Sequence, residues 1–223
     1  KSLLAILSFD QHCVTAWIDA HGAALLDPPI RNSRPSVCEN CPELSWCESI
    51  EIHLSPADAW RRLGLIDPHG VPTRRGTIFS FFHHGEGLAI AAALEDERYP
   101  IPDLIYDLAN LRAGPRFAGD DSPYGGRLGI RCAETYLRAE IPGYLTLGVP
   151  LDYGAGASEA IRAHLENGVP RSKLLTDDLR SGDFERALIE WRSLLRQITW
   201  APDDEWPRWQ SLRRRAVQTL GES

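Results

Sequence analysis

Three cysteines stand close together as Cys38-x2-Cys41-x5-Cys47 on a turn-rich stretch that also holds Pro42. Two thiolates with two residues between them can face one ion, because the intervening turn brings both sulfurs to the same side. The third makes a metal site lacking one ligand, which Cys13, His53 or Cys132 can complete; the spacing does not choose among them, and Cys13 stands in the candidate set. Structural Zn²⁺ is the preferred species and an iron–sulfur cluster the second. The same x2, x5 spacing occurs in some iron–sulfur nucleases, but no carboxylate-and-lysine nuclease motif accompanies it here. Three reduced thiols are the plainer alternative. Disulfides are disfavoured, since no export signal points to an oxidising compartment.

The other chemistry the residues offer is cationic. Arg74 and Arg75 adjoin a turn at 67–70, a common place for contacts to a phosphate backbone. Arg213, Arg214 and Arg215, with Trp206 and Trp209 just upstream, form the densest basic patch. Cations beside aromatics can hold a single strand by charge and stacking; the alternative is that the tryptophans anchor the core and the arginines are a solvated face. His83 and His84 beside Glu86 suggest metal or proton chemistry. Adjacent side chains leave a helix in different directions, however, so the pair is read as structural. No phosphate loop of the G-x-x-x-x-G-K-[ST] type, nucleophile elbow or H-E-x-x-H helix occurs. The chain therefore carries no ATPase or recognisable hydrolytic machinery of its own.

These groups need elements to position them, and 223 residues suffice for one large domain or two small ones. The net charge of −7 argues against tight, free-standing nucleic-acid binding, which usually rests on a basic surface. A few contacts made inside a larger machine remain compatible with it. No run of 18 apolar residues is present, so no membrane partner is expected and the cytoplasm is the expected compartment. Residues 2–30 show a rough helical face through Leu3, Leu4, Ile6, Leu7, Val14, Trp17 and Ile18. Ser55 and Pro56 suit the N-cap and first position of a helix, and Gly64 suits its end. Asp67-Pro68-His69-Gly70 reads as a turn between short strand candidates, giving a β wing over 65–75. Beyond Gly85 the pattern is nearly all helical, with candidates at 86–97, 102–113, 124–140, 154–167, 171–179, 182–199 and 205–220. The expected fold is mainly α: a winged-helix-like region over 1–84, containing the cysteine knot, then an orthogonal helical bundle over 85–223.

The stretch at 61–82, RRLGLIDPHGVPTRRGTIFSFF, resembles the entry into the C-terminal (DSHCT) domain of the superkiller-type DExH-box RNA helicases. The similarity continues in order through Glu86-Gly87-Leu88, the run Tyr99 to Leu111, the run Tyr153 to Ile161, and GDFERALIEWRSLLRQ at 182–197. It covers roughly residues 58–200. The resemblance implies a bundle that packs beside two RecA-like motor domains upstream in the same chain and floors the path of single-stranded RNA, or DNA. ATP and Mg²⁺ would enter only through those motors. It implies a strand-contacting role for Arg186, whose permanent charge and planar fork suit phosphate or a base face. A surface ion pair with Glu190 or Asp183 on the same helix is the alternative for Arg186. Asp103 corresponds loosely to an acidic family position on the same path, though a favourable helix-dipole charge explains it equally. Where the family commonly inserts an arch, this chain has its cysteine knot. Two other classes compete: a metal-stapled adaptor that binds protein, favoured by the acidic charge, and a DNA-repair helicase module with an iron–sulfur cluster.

Overall fold

A computed structural model describes residues 3–9, 12–18, 42, 56–83, 85–117, 125–177 and 179–222. Among them the chain is mainly helical, and it divides into two compact units. The first comprises residues 1–62 and 66–71, the second 63–65 and 72–223. The division between these units falls within 62–72.

In the first unit, strands β1 (Leu3–Phe9) and β2 (His12–Ile18) pair antiparallel, with Leu3 opposite Ile18 and Phe9 opposite His12. This corrects the helical reading of 2–30 over those residues. A sparse apolar spacing fits either period, and the segments carry β-branched Ile6, Val14, Thr15 and Ile18 with only two residues between the strands. That combination favours a hairpin. Helix α1 (Pro56–Arg62) starts at the expected proline. Asp67 then closes a tight turn: its Oδ1 accepts the backbone N–H groups of His69 and Val71, and its carbonyl accepts that of Gly70.

The second unit is built round α3 (Glu86–Glu95), in which every residue from Glu86 to Leu94 is buried. Its alanines keep it slim enough for close neighbours. Helix α2 (Arg74–Ser80), capped by the Thr73 hydroxyl accepting from Gly76 N, lies so near that a Cβ on Gly87 would sit 2.6 Å from the Phe79 Cα. Helix α5 (Gly126–Thr135) also packs on α3. Helix α4 (Ile101–Asp107) runs into a 3₁₀ turn at Leu108–Leu111 and meets both α6 (Ala157–Leu165) and α8 (Pro207–Glu222). The long α7 (Ser181–Trp200) packs on α8, with Trp191 stacked on Tyr106 at 5.7 Å and donating its indole N–H to the Ile105 carbonyl. A two-residue hairpin, β3 (Leu145–Thr146) with β4 (Val149–Pro150), links α5 to α6. The expected helix over 171–179 is only a 3₁₀ turn at Arg171–Lys173. Leu175 and Leu179 have the i+4 spacing, but Thr176 takes up the backbone locally, its Oγ1 accepting from Leu179 N and its own N–H donating to the Leu179 carbonyl.

A helix buried along its length must still satisfy its last carbonyls. Arg208 of α8 does this for α3, donating to the carbonyls of Ala93, Leu94, Glu97 and Tyr99 at 2.7–3.2 Å. Arg208→Ala is expected to cost about 2–4 kcal/mol, since it strands several acceptors at once. Urea denaturation should show a lower midpoint at unchanged slope. Arg208→Lys should recover only part, because a single ammonium cannot span that fork.

Candidate nucleic-acid interface

The N-terminal half of α7 forms one wall of a cleft of about 670 Å³, opposite the turn at Pro150–Asp152, the start of α3 and the segment Leu111–Gly114. Amphipathic periodicity sets the wall. Phe184, Ala187, Leu188, Trp191, Leu194, Leu195 and Ile198 turn inward, which leaves Arg186 facing out. The floor depends on a backbone crossing that tolerates no side chain: a Cβ on Gly154 would stand 2.2 Å from the Gly114 carbonyl oxygen. Those two chains are held together by Gly114 N donating to Asp152 O and Gly154 N donating to Asn110 O.

Most of the charge in the cleft is already paired, Asp152 and Arg186 being the two lining residues in no ion pair among the described residues. Arg112 donates through Nε to the buried carboxylate of Glu86, through Nη1 to Glu190 at 3.3 Å, and through Nη2 to Gln197 at 3.5 Å. Arg116 donates to Asp183 at 2.6 Å, and that hydrogen bond holds the Asp183 carboxyl below its ordinary range. Both acids that could have neutralised Arg186 on its own helix are therefore engaged elsewhere. Arg186 is exposed on the cleft rim and makes no hydrogen bond or ion pair among the described residues.

The other sequence candidates do not gather at this cleft. Arg74 opens α2 and lies 5.3 Å from the Trp206 ring centre. Arg75 is consumed by the fold: Nε and Nη2 bind Glu95, Nη1 binds the Leu63 carbonyl, and the guanidinium covers the Tyr136 ring. Asp103 accepts from Arg127 and, at 3.0 Å, from Arg162. Arg213 pairs with Asp203 at 3.0 Å and donates to the Thr199 carbonyl; Arg214 is exposed and donates to the Ser211 hydroxyl of its own helix. Trp209 is fully buried beside Phe81 and Phe82, so it is a core anchor.

The aromatic residue that the sequence reading passed over is Trp200, 81% exposed at the last turn of α7. Its signal was present: it lies two heptads after Arg186, on the outward face. Cys38, Cys41, Cys47 and His53 lie outside the described residues, as does the side chain of Cys13, whose backbone pairs with Ser8 in the hairpin. Cys132 is fully buried on α5, and burial pushes its thiol up to about 12, as befits an inert core residue. Among the described residues no group of three or more His, Cys, Asp or Glu side chains is placed to hold a metal ion, and no helix is long and apolar enough to cross a membrane.

With this geometry in hand, no protein-family model, curated protein or solved structure matches the chain.

Burial works to raise the Asp103 carboxyl, but hydrogen bonds from Arg127 and Arg162 outweigh it and hold the group below its usual range. A depressed carboxyl stabilises the fold above its unfolded value near about 3.9, and that contribution is lost as pH falls through the lower folded value. The stability gap between the wild type and Asp103→Asn should stay constant from about pH 5 to 7 and close below about pH 4. Thermal melts across that range would read it.

Proposed function

We propose that this chain is the strand-gripping C-terminal segment of an ATP-dependent DExH-type RNA helicase, with a winged-helix element followed by a helical bundle. It guides single-stranded RNA past RecA-like motor domains that belong upstream in the same polypeptide. The observation that carries the reading is Arg186: an exposed guanidinium on a cleft rim, left without an ion-pair partner because Asp183 and Glu190 of its own helix are held by Arg116 and Arg112. A cation left without a partner beside a concave surface is available to a phosphate or a base face. The ordered sequence similarity over residues 58–200 and the mainly helical architecture support the same assignment. So does the lack of any ATP-binding motif, which leaves grip to this segment and force to the motors. The acidic net charge fits a module that adds a few contacts rather than one that holds a strand unaided. The cytoplasm is the proposed compartment.

Fluorescence anisotropy with a labelled single-stranded RNA at low salt, then with DNA of the same sequence, tests the assignment. Weak binding that falls with salt is expected from the wild-type chain. Arg186→Ala should lose about tenfold in affinity and flatten the salt dependence by about 0.7 in log–log slope, the contribution of one single-strand phosphate contact. A wild-type chain that binds neither strand, or an Arg186→Ala variant that binds equally well, would sink the assignment.

We also propose Cys38, Cys41 and Cys47 as three ligands of a structural zinc, with Cys13 as the fourth. Elemental analysis of the purified chain should find about one zinc per molecule, reduced to background in Cys41→Ser. Iron with acid-labile sulfide would instead identify a cluster.

A further inference from the structure

The outward face of α7 carries Arg186, Ile189, Ser193, Arg196 and Trp200, spaced three and four residues apart in alternation. Such spacing keeps all five on one stripe of the helix. Two of them are large apolar groups left in solvent, Ile189 at 62% and Trp200 at 81% exposure. An exposed tryptophan is the more informative, because indoles normally bury most of their surface. The charge around Trp200 runs against that of the chain. Arg196 lies one turn before it and has no side-chain partner among the described residues. Arg213 is anchored to the carbonyl of the adjacent Thr199, and Arg214 is exposed on α8 beside it. Thr199, Asp203, Arg213, Arg214 and Val217 line a shallow hollow of about 350 Å³. The one acid in this group, Asp203, is paired with Arg213, which leaves two cations uncompensated on a molecule of net charge −7.

An exposed aromatic plate near cations that no acid neutralises is what a single strand needs, since every base has a face to stack and every nucleotide a phosphate to neutralise. We infer that Trp200, with Arg196 and Arg214, forms a second single-strand contact at the far end of α7 from the Arg186 cleft. The inference rests on the strand-gripping function proposed above and deepens it by fixing where the strand leaves the segment. Fourteen residues separate Arg186 from Trp200, which on an α-helix is about 21 Å. A strand stacked at about 3.4 Å per nucleotide covers that distance in about six nucleotides, and a more extended strand in fewer. Short oligonucleotides can engage only one end; longer ones bridge both.

The test compares RNA oligonucleotides of about 4 and about 12 nucleotides, bound to the wild-type chain and to Trp200→Ala and Trp200→Phe. The wild type should favour the longer strand. Trp200→Ala should lose about tenfold on the longer strand and almost nothing on the shorter, while Trp200→Phe keeps most of the affinity because stacking survives. The long strand should also quench a component of tryptophan fluorescence that Trp200→Phe removes. Because Trp200 is so exposed, the variants are expected to fold, and circular dichroism would check it. An affinity for the longer strand that ignores Trp200→Ala, or a loss equal at both lengths, overturns this second contact while leaving the Arg186 grip intact. A wild-type chain that binds no strand overturns the grip and this contact together.

Discussion

A helix buried from its first residue to its ninth is the constraint round which the larger unit is organised. Helix α3 offers almost no polar surface of its own, so its last carbonyls and its one buried charge, Glu86, must be met by groups from elsewhere. An arginine closes the C-terminal end, and another neutralises the one buried charge at the N-terminal end. At the C-terminal end, Arg208 spreads its donors over four carbonyls. At the N-terminal end, Arg112 meets the buried carboxylate of Glu86 and reaches on to Glu190 and Gln197 of α7. The second brace has a consequence for the surface. By drawing Glu190 toward Arg112, it removes one natural partner of Arg186; Arg116 removes the other by taking Asp183. The free cation at the cleft is thus a by-product of how the core is sealed.

The same economy runs through the other charges. Arg75 ties α2 to the end of α3, and Arg162 joins α6 to α4 through Asp103. Arginine suits this work because its planar fork binds several acceptors with little further ordering, while its stem packs along apolar surface. Many arginines in the helical unit are therefore structural, and net charge is a poor guide to where a polyanion could land. Among the arginines without an ion-pair partner, three stand on or beside the outward stripe of α7: Arg186 at one end, Arg196 and Arg214 near the other.

Helix existence was readable because it depends on near neighbours. Pro56, the Tyr99-Pro100 break, Gly114-Pro115, Pro142-Gly143 and Pro202 punctuate the chain, and the 3.6-residue repeat between them set α3, α6, α7 and α8 within a few residues of their observed bounds. Helices α4 and α5 end six and five residues before the expected 113 and 140. The failures have equally local causes. Residues 3–18 carry apolar side chains compatible with either period, so the hairpin was decided by pairing across strands rather than by either strand alone. At 171–179 a helix was expected, but Thr176 closes locally on Leu179 and only a single 3₁₀ turn forms.

The sequence by itself determined the mainly helical class, the order of the helices, the turn at Asp67 and the outward placement of Arg186 on α7, because each follows from residues within a few turns of one another. Only the tertiary structure decided which cations are spent and which remain available. Arg112 meets Glu190 from 78 residues away, Arg116 meets Asp183 from 67, and Arg208 meets the end of α3 from 109 to 115. Charge pairing is a property of converging side chains, and a linear pattern does not say which side chains converge.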